Sequence, residues 1–218
     1  MLKAWCLAPF VLALAGMAVE AQQRVSHARV FPPEELGSLA PPDRDEWQQP
    51  DRIMDALGIA ERDRVADVGA GGGWFTVRLA RRVGPNGRVY AEDVQRQMLK
   101  AISAAVEREG LKNVTTILGT PTDPKLGPDL QAVLIIDAYS YLMQGDPVAV
   151  LKSIAASLAP KGRLGIVDFK KDGAGGPGPE LEYRVDPDVV VRDAKAAGLK
   201  LRSQEAFLRY QFLLVFER

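Results

Sequence analysis

Val65-Ala-Asp-Val-Gly-Ala-Gly-Gly-Gly-Trp-Phe-Thr76 is the stretch on which the reading of the whole chain turns. Apolar Val65, Ala66 and Val68 read as a short buried strand, and Gly69, Gly71, Gly72 and Gly73 follow at once. From Trp74 onward, Phe75, Val77, Leu79, Ala80 and Val83 set the period of a helix. A strand, a glycine turn and a helix N-terminus together make a ligand cradle. The glycines let the backbone approach a ligand where a Cβ would intrude, and the helix's first N–H groups point at it.

A dinucleotide site asks for G-x-G-x-x-G, its third glycine allowing close helix–strand packing beside a pyrophosphate. Counted from Gly69, that third position is Trp74. The chain instead has Asp-x-Gly-x-Gly-x-Gly, formed by Asp67, Gly69, Gly71 and Gly73, with Ala70 inside the turn. An acid at the strand's end repels a pyrophosphate and suits a ligand bearing an ammonium group.

On these residues the chain resembles motif I of the class I S-adenosylmethionine-dependent methyltransferases. The resemblance implies that the glycine turn wraps the amino-acid and ribose parts of the cofactor, with Asp67 near the methionine moiety. It covers the chain from about Trp47 to the C-terminus. It implies an α/β fold: a Rossmann-like, doubly wound, seven-stranded sheet, mostly parallel with a C-terminal antiparallel strand and helices on both faces.

The alternation beyond motif I agrees. Val89-Tyr90-Ala91 reads as a second strand ending in Glu92-Asp93, and Met98, Leu99, Ile102 and Val106 mark the next helix. Asp93 lies where a doubly wound fold places an acid against ribose hydroxyls, and the alternative is a cap on that helix. Val114 to Leu118 is a third strand, followed by Gly119-Thr120. Relatives often carry an acid there for the adenine amino group, so adenine recognition here falls to Thr120, backbone groups or Asp123. Ala132 to Ile136 is the fully apolar run of a central parallel strand, delivering Asp137-Ala138-Tyr139-Ser140-Tyr141 to the carboxyl edge. A helix over about 146–158, a strand over 164–169, a helix over 186–197 and two last strands (199–201 and 207–216) complete the pattern. Between them, Lys170 to Pro179 is rich in glycine and proline, reading as a mobile substrate loop or a solvated linker.

The N-terminal region differs in composition. Lys3, the apolar run Ala4 to Val19 and Val19-Glu20-Ala21 stand in the order of a secretory signal peptide over residues 1–21, cleaved before Gln22. The mature protein is then expected to be exported, periplasmic or secreted, with no stable membrane insertion after cleavage. A start at Met17 would instead give a cytoplasmic product. Residues 22–50 form a Pro-rich arm or lid in which Trp47 anchors the arm to the core, and residues 51–218 form the methyltransferase domain.

Composition bounds the chemistry. The 218 residues carry 28 Lys+Arg and 28 Asp+Glu, so no net charge draws nucleic acid or an anionic membrane. With His27 the only histidine and Cys6, in the leader, the only cysteine, no metal site or Cys/His nucleophile is expected. Asp137 and Tyr139 are the catalytic candidates, Asp137 also as a cofactor contact, with Tyr141 beside them. The leading reading is methyl transfer from S-adenosylmethionine to a small molecule. An exported, non-catalytic nucleoside binder is the alternative, and an NAD-dependent oxidoreductase, disfavoured by Trp74, is the third.

Overall fold

A computed structural model describes residues 30–172 and 176–218. The leader expected over 1–21 and its expected cleavage point, with Cys6, His27 and the Gly173–Gly175 part of the glycine-rich stretch, lie outside the described residues.

Seven strands make one sheet: β1 (Arg64–Val68), β2 (Arg88–Asp93), β3 (Val114–Leu118), β4 (Leu130–Ile136), β5 (Leu158–Phe169), β6 (Lys200–Glu205) and β7 (Gln211–Glu217). Their order is β3-β2-β1-β4-β5-β7-β6. The first five pair in parallel, and β7 runs antiparallel to both of its neighbours, β5 and β6. The order reverses between β1 and β4, so their carboxyl ends part and leave a crevice. Register sets what surrounds it. Val68 pairs with Glu92 and with Ile135, and Asp93 with Leu118, so the ends of four strands emerge together.

Each face is covered because each strand's side chains alternate. On one face, Ile53 and Met54 of α2 (Pro50–Ala56) and Phe75 and Leu79 of α3 (Trp74–Val83) pack on Val65, Leu134 and Val167. The first turn of α4 (Arg96–Arg108) adds buried Met98. On the other face, Leu151 and Ile154 of α6 (Pro147–Ser157) and Val190 and Ala194 of α7 (Pro187–Ala196) pack on Ala66, Val133 and Ile166. β4 is apolar throughout its buried length because it is covered on both sides. At about 2–5 kcal/mol per Leu→Ala truncation, this double layer is the main source of cohesion. The helix starts follow local chemistry: Asp146 accepts from Ala149 N–H at 2.9 Å and Asp186 from Asp188 N–H at 3.0 Å, each ahead of an N1 proline.

Three short elements go beyond the sequence reading. A 3-10 helix spans Pro33–Leu39, α1 covers Arg44–Gln48, and α5 (Tyr139–Leu142) follows β4 directly. The first two organise the Pro-rich arm, and Pro41-Pro42 separates them. Trp47 packs its ring 5.9 Å from that of Phe169 at the end of β5, an anchor of the expected kind. The described ends of the glycine-rich stretch are tied down: buried Arg184 donates to the carbonyls of Lys170, Pro177 and Pro179.

Candidate cofactor site

The crevice at the switch point is a single pocket. Asp67, Gly69, Ala70 and Gly71 form one wall, Asp93 and Thr120 a second, and Asp137 and Tyr141 a third. Gly73 and Tyr139 stand behind the walls. Gly73, at φ +82°, begins α3 and packs on Ile102. Tyr139 is buried in the core and donates its hydroxyl to Asp193 at 3.1 Å, which leaves Tyr141 as the tyrosine facing the pocket.

The glycine turn is close-fitted to protein as well as open to a ligand. Gly69 and Gly71 adopt φ +69° and +54°, the left-handed region that side chains disfavour. An added Cβ at Gly69 would lie 2.8 Å from Ala138 Cβ, and one at Gly71 3.1 Å from Leu39 of the arm. α3 receives no side-chain cap from the turn itself. Asp67 serves that end from β1, accepting Thr76 Oγ1 at 2.6 Å.

Asp93 ties β2 to the turn. One carboxylate oxygen accepts from Gly71 N–H at 3.1 Å and the other from Gln95 N–H at 2.9 Å. Each oxygen keeps a second lone pair for a ligand hydroxyl. Beside it is Glu92, the other acid at the end of the second strand. Its side chain accepts from Gly69 N–H at 3.3 Å and rests against Gly119, where only a glycine leaves room. Alternation puts Glu92 and Asp93 on opposite faces of β2, yet both reach the pocket because the strand ends there.

These acids crowd one another. Burial, then the charge of Asp93, pushes Glu92 up to about 8, and burial pushes Asp67 up to about 6 against the hydrogen bond of Thr76. Burial also raises Asp93, opposed by the N–H groups of Gln95 and Gly71. Three carboxyl groups thus converge, with Arg44 near Asp67 the one cation to ease them among the described residues that line the pocket. Such a site favours a cationic ligand and repels a pyrophosphate, and that is the fit expected for a sulfonium nucleoside with an ammonium tail. Asp93 would hold the ribose, Asp67 and the glycine turn the amino-acid end, and Thr120 and Glu92 would border the base. The Thr120 hydroxyl is itself engaged by the backbone of Asp123, whose carboxylate turns to Ser153.

The third wall is a network between distant segments. Asp137, at φ +57°, accepts from Arg44 at 2.8 Å, from Gln48 at 2.9 Å and from Gln211. Burial raises its carboxyl, and Arg44, Gln48 and Gln211 pull the other way. Asp168, at the end of β5, has one carboxylate oxygen without a hydrogen-bond partner. Burial and then the charge of Asp137 push it up to about 7. Among the described residues there is no cluster of three or more His, Cys, Asp or Glu able to hold a metal ion. No described helix is long and apolar enough to cross a membrane.

Comparison with known proteins places this geometry. Residues 65–162 match the family model described as a methyltransferase domain. Nocamycin O-methyltransferase of Saccharothrix syringae is 31% identical over 115 residues, 53% of this chain and 41% of that protein. The ubiquinone/menaquinone biosynthesis C-methyltransferase UbiE of Pasteurella multocida (strain Pm70) is 28% identical over 123 residues, 54% of this chain and 44% of that one. The chain thus spans under half the length of these two relatives. The crystal structure of a SAM-dependent methyltransferase from Aquifex aeolicus superposes with a TM-score of 0.80 at 26% identity, covering 86% of this chain and 98% of that one. The [4+2]-cyclase SpnF, at 20% identity and a TM-score of 0.61, shares the fold alone. The family match over residues 65–162 and these likenesses support a methyltransferase domain of the S-adenosylmethionine-dependent kind, and they imply S-adenosylmethionine as the cofactor.

Proposed function

We propose that the protein transfers a methyl group from S-adenosylmethionine to a small-molecule acceptor at the pocket wall formed by Asp137 and Tyr141. The observation that carries this reading is the convergence of the three carboxyl groups of Asp67, Glu92 and Asp93 on the glycine turn. The bound cofactor supplies a methyl group on a positively charged sulfur, open to in-line displacement. The residues' task is then to align the acceptor and keep water out.

Asp137 orients the acceptor. Its engagement with Arg44, Gln48 and Gln211 makes it a fixed hydrogen-bond acceptor. Tyr141 presents a flat face to the acceptor. Tyr139 supports this wall from beneath through its bond to Asp193. The relatives named above are an O- and a C-methyltransferase, so an oxygen or carbon nucleophile is the acceptor class to try first. The arm over 30–49 acts as a lid, since Val30, Phe31 and Leu39 border the pocket from above the glycine turn.

The test is transfer of labelled methyl from S-adenosylmethionine to a panel of small phenols, enols and carboxylic acids. Turnover that Asp137→Asn lowers in kcat supports the reading, and binding of the cofactor without transfer to any acceptor would favour the non-catalytic binder. Export of a chain trimmed before Gln22 is proposed on the leader sequence alone. An intact mass retaining Met1 or beginning at Met17 would contradict it.

A further inference from the structure

The large apolar side chains left in water are not scattered over the described residues. Six are exposed: Val30, Val94, Met143, Leu181, Tyr183 and Leu201. Five of them stand at the carboxyl edge of the sheet, around the mouth of the pocket. Val30 and Val94 line the pocket itself. Met143 closes α5, two residues beyond Tyr141 of the acceptor wall. Leu181 and Tyr183 belong to the 3-10 turn Leu181–Tyr183, which follows β5. The sixth, Leu201, stands at the start of β6 and pairs with Phe216, which pairs with Leu164, so it lies toward the opposite edge. Single exposed apolar residues need no explanation, but their gathering at one mouth does.

The fold brings Met143 to the same rim as Leu181 and Tyr183. β4 and β5 are neighbours, and α5 follows the first as the 3-10 turn follows the second. Arg184 draws that turn back to the end of β5 by donating to the Lys170 carbonyl at 3.1 Å. Leu142 and Val185 pack into the same core cluster as buried Tyr139. The acceptor wall thus leads outward from Tyr141 to Met143, Leu181 and Tyr183, which are 41%, 47% and 52% exposed. The charges nearby in the chain bear on what this rim takes. Glu180, Glu182, Asp186 and Asp188 flank the turn, against Lys170 and Lys171 at the end of β5. That balance gives an anionic lipid surface no hold, whereas an uncharged hydrocarbon chain meets no repulsion.

We propose that the acceptor is an amphiphile: a compact head that bears the nucleophile, held at Asp137 and Tyr141, and an uncharged hydrocarbon tail that leaves the pocket over Met143, Leu181 and Tyr183. This rests on the methyl-transfer reading above and narrows its acceptor class. The tail covers apolar surface that the free protein leaves wet. Its binding energy comes from a place remote from the reacting atoms and holds the head in line with the methyl group.

The test measures binding of two chain-length series, 4-alkylphenols and 1-alkanols from methyl to octyl, to the full chain loaded with S-adenosylhomocysteine. In at least one series, wild type is expected to bind on the order of two- to fourfold tighter for each added methylene that meets the rim. Leu181→Ser combined with Tyr183→Ser alters side chains that already face water. It is expected to weaken the octyl member by about tenfold or more and to leave the shortest member that binds unchanged. Leu201→Ser, the exposed leucine toward the other edge, should change neither. Affinity independent of chain length in both series would overturn the proposal, as would a preference that survives the double substitution. An equal loss in Leu201→Ser would assign the preference to unspecific apolar adsorption and overturn it too, and so would binding of no member by the loaded protein. Failure of S-adenosylhomocysteine itself to bind would instead overturn the methyl-transfer reading.

Discussion

The two sides of the pocket are built in opposite ways. On one side, Asp67, the glycine turn, Glu92 and Asp93 lie within about one βαβ unit, and their bonds run between adjacent strand ends. On the other side, Asp137 draws Arg44, Gln48 and Gln211 from the arm and from β7, 74 to 93 residues away in the chain. The first side crowds its carboxyl groups, with only Arg44 near Asp67 to ease them; the second pairs its charge internally. The cradle is therefore electrostatically unfinished until a cation enters, whereas the latch is complete in the free protein. A binding surface and a closing device need these different balances.

If the latch holds the arm, breaking it should produce the largest effect. Asp137→Ala removes the shared acceptor and leaves a buried guanidinium without its counter-ion, a loss of about 3 kcal/mol. Urea unfolding followed by tryptophan fluorescence measures it. Because Trp47 belongs to the arm and Trp74 to α3, the same experiment shows whether the arm detaches first. A change below about 0.5 kcal/mol would mean that the arm is held by its apolar contacts alone.

The cradle should respond to pH in the direction set by its raised carboxyls. Glu92 has its ordinary value near 4.5 in the unfolded chain and about 8 when folded. Between those values the folded state binds the extra proton, so its contribution to stability is full below the lower value and is lost as pH rises through the upper one. Glu92→Gln keeps the shape without the ionisation. It is expected to be more stable than wild type at pH 8 by about 3–4 kcal/mol, with little difference at pH 5. Thermal melts at the two pH values check this. An equal difference at both would assign the effect to packing against Gly119 and not to charge.

The same contrast explains what could be read from the sequence. The cradle was legible because its parts are local: an acid, spaced glycines and a second acid one strand later identify themselves by position. The sheet was legible for the same reason, since an uninterrupted apolar run such as Ala132 to Ile136 leaves few places for a strand to sit. Arg44, Gln48 and Gln211 gave no local signal. Arg44 stands in a charged stretch around Trp47 that reads as an anchor or lid without marking out any one of its charges, and Gln211 is one polar residue at the start of an apolar strand. Their convergence follows from β7 entering beside β5 and from α1 folding back over Phe169, both tertiary events. Glu92 gave a weaker signal than Asp93 for a subtler reason. Alternation sends it to the opposite face from Asp93, and only the end of the strand at the crevice lets both take part.

The central claim is that this cradle takes a cationic sulfonium nucleoside and not a dinucleotide. Isothermal titration of the full chain with S-adenosylmethionine and with NAD, alongside Asp93→Asn, tests it most directly. Wild type should bind S-adenosylmethionine with micromolar affinity and show no heat with NAD. Asp93→Asn should weaken the first by about 10- to 100-fold, the cost of a charge-assisted hold on the ribose. Binding of NAD with no response to S-adenosylmethionine would contradict the claim.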